Sequence, residues 1–217
     1  MLRLALLSTA LLTLPVAAQT SPPMITHAHP VAIQRGQSAE VTITGQQNFA
    51  GVNRVLLEGT GVQASVVPAK NAKPDVVVNN AKLKLTAEPT AALGVRELRL
   101  ASPLGLSTVG QILVVDDPVM VETTANNNTA ATAQKVTVPC VVCGRLEVKE
   151  DVDVYAFVAK AGQVITCEAQ CARIQDKIHD LQIHADPLIA LFDAEGRELA
   201  ANDDCFYADP LFTYRIP

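Results

Sequence analysis

The chain has 217 residues, a formal net charge of -5, 49% hydrophobic and 18% charged residues. That apolar share supplies a packed core and excludes a disordered chain. The acidic balance excludes a nucleic-acid binder, which needs a basic face, and the length allows one large domain or two small ones.

The first segment points to export. Met1-Leu2-Arg3 gives a positive start, Leu4 to Leu14 is mostly apolar, and Val16-Ala17-Ala18 offers small residues at a cleavage site. This is the layout of a secretory signal peptide over residues 1–18, with Gln19 as the mature start. Its apolar run is shorter than the ~20 residues a bilayer crossing needs. Charges or prolines interrupt each later apolar run. The mature chain is therefore expected to have no membrane span and to be secreted, periplasmic or at the cell surface.

Composition divides the remainder. Residues 24–115 carry 8 Lys/Arg against 5 Asp/Glu, whereas residues 116–217 carry 8 against 17. Phe49 is the sole aromatic before residue 116, and seven follow it. Two modules are expected, 24–115 and 135–217, joined by a polar linker over 116–134 that contains Thr123-Thr124-Ala125-Asn126-Asn127-Asn128-Thr129.

Both modules read as strands. Residues 39–44, 53–58, 62–67, 81–86, 95–100 and 111–115 alternate or run apolar between glycine stops, the signature of a β-sandwich. In the second module the candidates are 144–148, 152–158, 163–168, 188–192 and 211–216. Residues 172–182 are expected to be a loop with a short helix. The fold class is all-β, as two β-sandwich domains.

The second module also carries a string of short motifs in order. They are Asn127-Asn128-Thr129, Ala133-Gln134, Gly144-Arg145-Leu146, Asp151-Val152-Asp153-Val154-Tyr155-Ala156-Phe157, Ala161-Gly162-Gln163, Asp186-Pro187-Leu188, Asp193-Ala194-Glu195-Gly196 and Asn202-Asp203-Asp204. Together they resemble the bacterial pre-peptidase C-terminal (PPC) domain over most of residues 118–217. The first module resembles, by pattern, the Ig-like domains that precede such modules. The resemblance implies a jelly-roll-like sandwich without catalytic residues, accompanying a secreted peptidase or other exported protein. Some relatives contact insoluble substrates and some bind calcium. In two respects the chain departs from the family. The family continues beyond the strand matching Leu211–Ile216 into a further hairpin strand, so the domain is expected to be incomplete, a fragment of a longer product. An acidic residue usually precedes the paired asparagines, where this chain has Ala125.

Calcium takes six to eight hard oxygens. Glu122, Asn127, Asn128, Asp151 and Asp153 converge if the linker folds back on the next strand. On a strand, Asp151 and Asp153 share a face and repel unless solvated or bridged by a cation. Asn202-Asp203-Asp204 is a second set, more simply read as a turn. The five cysteines, Cys140, Cys143, Cys167, Cys171 and Cys205, are disulfide candidates in an exported chain, with one left over. Four of them also have spacings that fit zinc. His27-Ala28-His29 is expected to be flexible, and His179 and His184 to lie in a surface loop. Hydrolase and phosphate-binding motifs are absent. The function expected is that of a non-catalytic exported accessory module, partnered by a linked or associated exported protein such as a peptidase. The alternatives are a stand-alone extracellular module binding a protein or glycan, a protein being favoured because stacking rings are scarce, and a hydrolase using His179, His184 and nearby aspartates.

Overall fold

Ala81, Leu83, Leu85 and Ala87 point inward from one strand while Asn80, Lys82, Lys84 and Thr86 point to water. This two-residue period builds the first half of the molecule. The computed structural model describes residues 22–47, 49–68, 77–123, 126–146, 148–174 and 185–217. The export segment expected at 1–18, and His179 and His184, lie outside the described residues.

A four-stranded sheet runs in the order β1 (Met24–His29), β3 (Ser38–Gln46), β6 (Asn80–Ala87) and β5 (Val62–Val67), antiparallel throughout. A second sheet runs in the order β2 (Ala32–Gln34), β9 (Gly110–Val115), β7 (Gly94–Ser102) and β4 (Arg54–Leu57), with β8 (Gly105–Leu106) on β7. Here β2 and β9 pair in parallel. The inner faces meet in a core of Ile25, Ile33, Val41, Ile43, Leu83, Leu85, Leu98, Leu100, Ile112 and Val114, none more than 1% exposed. β-Branched and leucine side chains suit such a pleated, two-sheet interior. Gly45 lies within β3, where a Cβ would collide with the Met24 carbonyl oxygen and the Phe49 ring. The six runs predicted in this half all fall in strands. The chain adds β1, β2 and β8, and the histidines expected to be flexible, His27 and His29, lie in β1.

The second half is made of short ribbons. β10 (Val119–Val121) pairs in parallel with β12 (Val141–Cys143), and β11 (Gln134–Lys135) in parallel with β13 (Tyr155–Ala156). β14 (Val164–Glu168) pairs with β17 (Leu211–Arg215), and β15 (Ile189–Phe192) with β16 (Glu198–Asn202), both antiparallel. A single 3₁₀ turn occupies Ala172–Ile174, where a short helix was expected, and residues 175–184 are outside the described set. The strand predicted at 144–148 lies earlier, at Val141–Cys143, and the one predicted at 152–158 shrinks to Tyr155–Ala156. The approach to Tyr155 is bent into a polar cluster instead of a ladder. Residues 116–134 contain β10, the first residue of β11 and the wholly buried Asn127.

Among the described residues of this half, the buried apolar side chains are Cys143, Ile165 and Leu191. Val158, Leu188 and Phe192 are exposed. With so little apolar burial, the weight falls on two fully buried polar residues, Asn127 and Asp209. A buried polar group is tolerated only when hydrogen-bonded or paired.

Candidate functional site

Glu122 follows β10 directly, and its amide donates to the Cys143 carbonyl at 3.0 Å. Gln134 secures this strand end: its amide oxygen accepts from Thr123 N at 2.9 Å and its nitrogen donates to the Val121 carbonyl at 3.2 Å. The Glu122 carboxylate is thereby aimed at the loop before β13. Its Oε1 accepts from Asn127 Nδ2 at 2.9 Å and from the Tyr155 hydroxyl at 3.2 Å. Its Oε2 accepts from the Arg145 amide at 3.0 Å. The Asn127 carbonyl accepts from Val154 N at 2.8 Å, which brings Asp153 to the same place.

Two carboxyl groups therefore share a small volume. Burial, a hydrogen bond shared with Glu122, that residue's charge and Asp151 push the Asp153 carboxyl up to about 6, while a hydrogen bond from Asn127 acts the other way. Burial, then the charges of Glu122 and Asp153, holds the Tyr155 phenol well above its usual value. Like charges at close range raise a carboxyl in this way. Asn127 has no exposed surface, and its Oδ1 has no hydrogen-bond partner among the described residues. Gly144 completes the wall: a Cβ there would stand 2.7 Å from the Tyr155 hydroxyl and 3.3 Å from Glu122 Oε2.

Of the five residues expected to bind calcium, Glu122, Asn127 and Asp153 come together, with Asp151 acting on Asp153 by charge. Asn128 is exposed, as is usual for a turn asparagine. Among the described residues no three His, Cys, Asp or Glu side chains gather as a metal group. The cluster instead offers two carboxylates, an amide oxygen and a phenol, hard oxygens of the kind calcium takes. Tyr155 and Gly144 were missed as site residues. The signal for Tyr155 was its place two residues after Asp153. In the second set, expected more simply as a turn, the Asn202 amide donates to the Asp204 carbonyl at 3.3 Å and accepts from Leu211 N at 3.0 Å.

The raised carboxyl has a measurable sign. An Asp whose folded value lies above its unfolded one makes the folded chain hold more protons between about pH 4 and 6. Stability without metal is therefore expected to fall as pH rises through that window. Melting in chelator from pH 4 to 7 should show this slope, and Asp153→Asn should flatten it.

No two of the five cysteines expected to pair stand at disulfide distance in this structure. Cys140 and Cys143 bracket an extended strand, where three residues span ~10 Å, beyond the ~7 Å Cα limit of a bridge. Cys143 is buried, with its sulfur on the backbone of Val31 and Ala32 of the first half. Cys167 lies opposite Phe212 in the β14–β17 ribbon, and Cys205 is exposed at a turn.

The second buried polar residue, Asp209, has a different role. Its Oδ1 accepts from Cys171 N at 2.8 Å and Ala172 N at 2.6 Å, and its Oδ2 from Arg173 N at 3.2 Å and Arg173 Nε at 2.6 Å. These bonds hold the carboxyl below its usual value against the opposing effect of burial. Asp209 thus caps the 3₁₀ turn and is spent on structure.

No family model matches the chain, and no curated protein matches it. Among solved structures, it is similar to the Bacteroides ovatus mixed-linkage glucan utilization locus protein SGBP-B in complex with a mixed-linkage heptasaccharide, with a TM-score of 0.32 and 13% identity. The match covers 90% of this chain and 36% of that one, so the chain spans about a third of the neighbour's length. No helix among the described residues is long and apolar enough to cross a membrane.

Proposed function

We propose that this chain is a non-catalytic accessory module of an exported protein, with a PPC-type second half whose fold calcium completes. Glu122, Asn127 and Asp153 would hold the ion, with Tyr155 at its edge. Its charge would relieve the repulsion between the two carboxylates and give the buried amide oxygen a partner. The observation that carries this reading is the Asn127 Oδ1, wholly buried without a hydrogen bond among the described residues, beside an Asp153 carboxyl that burial and the neighbouring Glu122 push up. A module so arranged serves to hold and present surfaces to a linked or associated protein, a peptidase being the partner that the resemblance implies. The alternative, a stand-alone extracellular binding module, draws support from an exposed tyrosine considered below.

Calcium is expected to raise the melting midpoint. An ion that binds only the folded state at a hundredfold excess over Kd adds about 2.7 kcal/mol, or roughly 5–11 °C for a chain of this size. Calorimetric titration and melting with calcium or chelator test this, with Glu122→Gln as the control that loses the effect. Magnesium, smaller and strictly octahedral, should do less. An unchanged midpoint in millimolar calcium, with no heat of binding, removes the reading.

A further inference from the structure

Tyr207 is 88% exposed and has a φ of 61°. A bulky residue rarely adopts this left-handed conformation, which is strained without glycine and persists only where the surroundings impose it. The surroundings here do so. Phe206 N donates to the Asp209 carbonyl at 2.9 Å and Asp209 N to the Phe206 carbonyl at 3.2 Å, closing a tight turn with Tyr207 and Ala208 at its tip. The Asn202 amide ties the two shoulders of this loop, Asp204 and Leu211. Underneath, the buried Asp209 carboxylate locks the turn to residues 171–173. The Arg173 guanidinium covers the Phe206 ring at 4.7 Å. An aromatic ring is thus held out in water by a rigid base, the preorganised form that interface hot spots take.

Among the described residues, the charge carried by the turn itself is acidic. Asp203 and Asp204 are exposed and form no ion pair among the described residues. Arg173, the cation that touches the turn among the described residues, is already engaged by Asp209 and Glu168, each at 2.6 Å. Unneutralised carboxylates next to an open tyrosine face attract cationic side chains, by charge and by the ring's quadrupole. A glycan fits less well: with the Phe206 face covered, the turn offers one ring and no extended stacking surface.

We propose that the Asp203–Asp209 turn is a docking point for an extended protein segment bearing arginine or lysine, with Tyr207 as its aromatic anchor. This deepens the accessory-module reading by naming the partner's chemistry, and it makes no use of the calcium cluster. The test is titration of the full chain with a Gly-Arg repeat octapeptide at low salt, followed by NMR and calorimetry. Saturable shifts at residues 203–209 are expected, with at least tenfold weaker binding in Tyr207→Gly and a clear loss in Asp203→Asn/Asp204→Asn. Tyr207→Gly relieves the backbone strain, so its melting midpoint should equal or exceed that of the parent. Tyr207→Asn, which tolerates the same conformation, serves as a second folded control. Equal affinity in Tyr207→Gly, or peptide shifts confined to other regions, overturns the proposal. So does saturation of the Tyr207 signals by a neutral glucan oligosaccharide or by calcium in place of the peptide. A failed calcium titration at Glu122 leaves this result standing, so the two readings fail separately.

Discussion

Asp209→Ala is expected to destabilise the second half by about 3 kcal/mol, because it strips the acceptor from a buried charge pair and from three backbone amides together. Asp209 has no exposed surface, while the side chain of its partner Arg173 is 35% exposed. The loss is therefore asymmetric. Arg173→Met leaves the carboxylate bonded to Cys171, Ala172 and Arg173 amides, and should cost only about 1 kcal/mol. Thermal or urea melts of the two variants measure the difference. Acid gives an independent reading. Asp209 is held below its ordinary value in the folded chain, so its contribution is full above the unfolded value of about 4 and is lost as pH falls through the folded one. This is the reverse of Asp153, whose burden on the fold grows as pH rises toward 6. A melt series across both windows should show stability falling on the acid side in the parent but less in Asp209→Ala.

Leu83→Ala should cost about 3 kcal/mol, within the range for a fully buried leucine in a close-packed core. Leu83 has no exposed surface and lies in the central strand β6, opposite Val41 on one side and Val66 on the other. Neither neighbour can collapse into the void without leaving its own register, so the cavity persists. The contrast is Lys84, one residue on and facing water, where Lys84→Ala should change stability by less than about 0.5 kcal/mol. Urea midpoints with unchanged slopes would confirm that each substitution acts on the folded state.

The first half was legible because its strands bury one face: Ala81-Lys82-Leu83-Lys84-Leu85 states in five residues which side is inward. β1 and β2 were hidden by Pro30 and by the polar His27 and His29, and their pairing is set by partners in the opposite sheets. In the second half the ribbons are often two or three residues long, too short for a period to show. What holds them is polar convergence over distance: Glu122 with Tyr155, and Arg173 with Asp209. Acidic pairs such as Asp151 and Asp153 are visible in a sequence. That Asp209 would be buried under residues 171–173 is not, since no local pattern marks it. Cysteine pairing is not legible in the sequence either: export makes it the default, while strand geometry keeps Cys140 and Cys143 apart.

The parallel pairing of β2 with β9 has a mechanical consequence. β1 enters the sandwich on an antiparallel pairing with β3 and β9 leaves it, so a pull on the two ends of this half loads β1 first and then drags β2 and β9 past one another lengthwise. Arg35 N on the Val115 carbonyl and Leu113 N on the Val31 carbonyl, at 2.9 and 2.8 Å, then carry the load together. Antiparallel edges such as β4 on β7 would peel open one bond at a time under a comparable tug. A sandwich clasped in this shearing geometry resists tension more stiffly than one whose ends unzip.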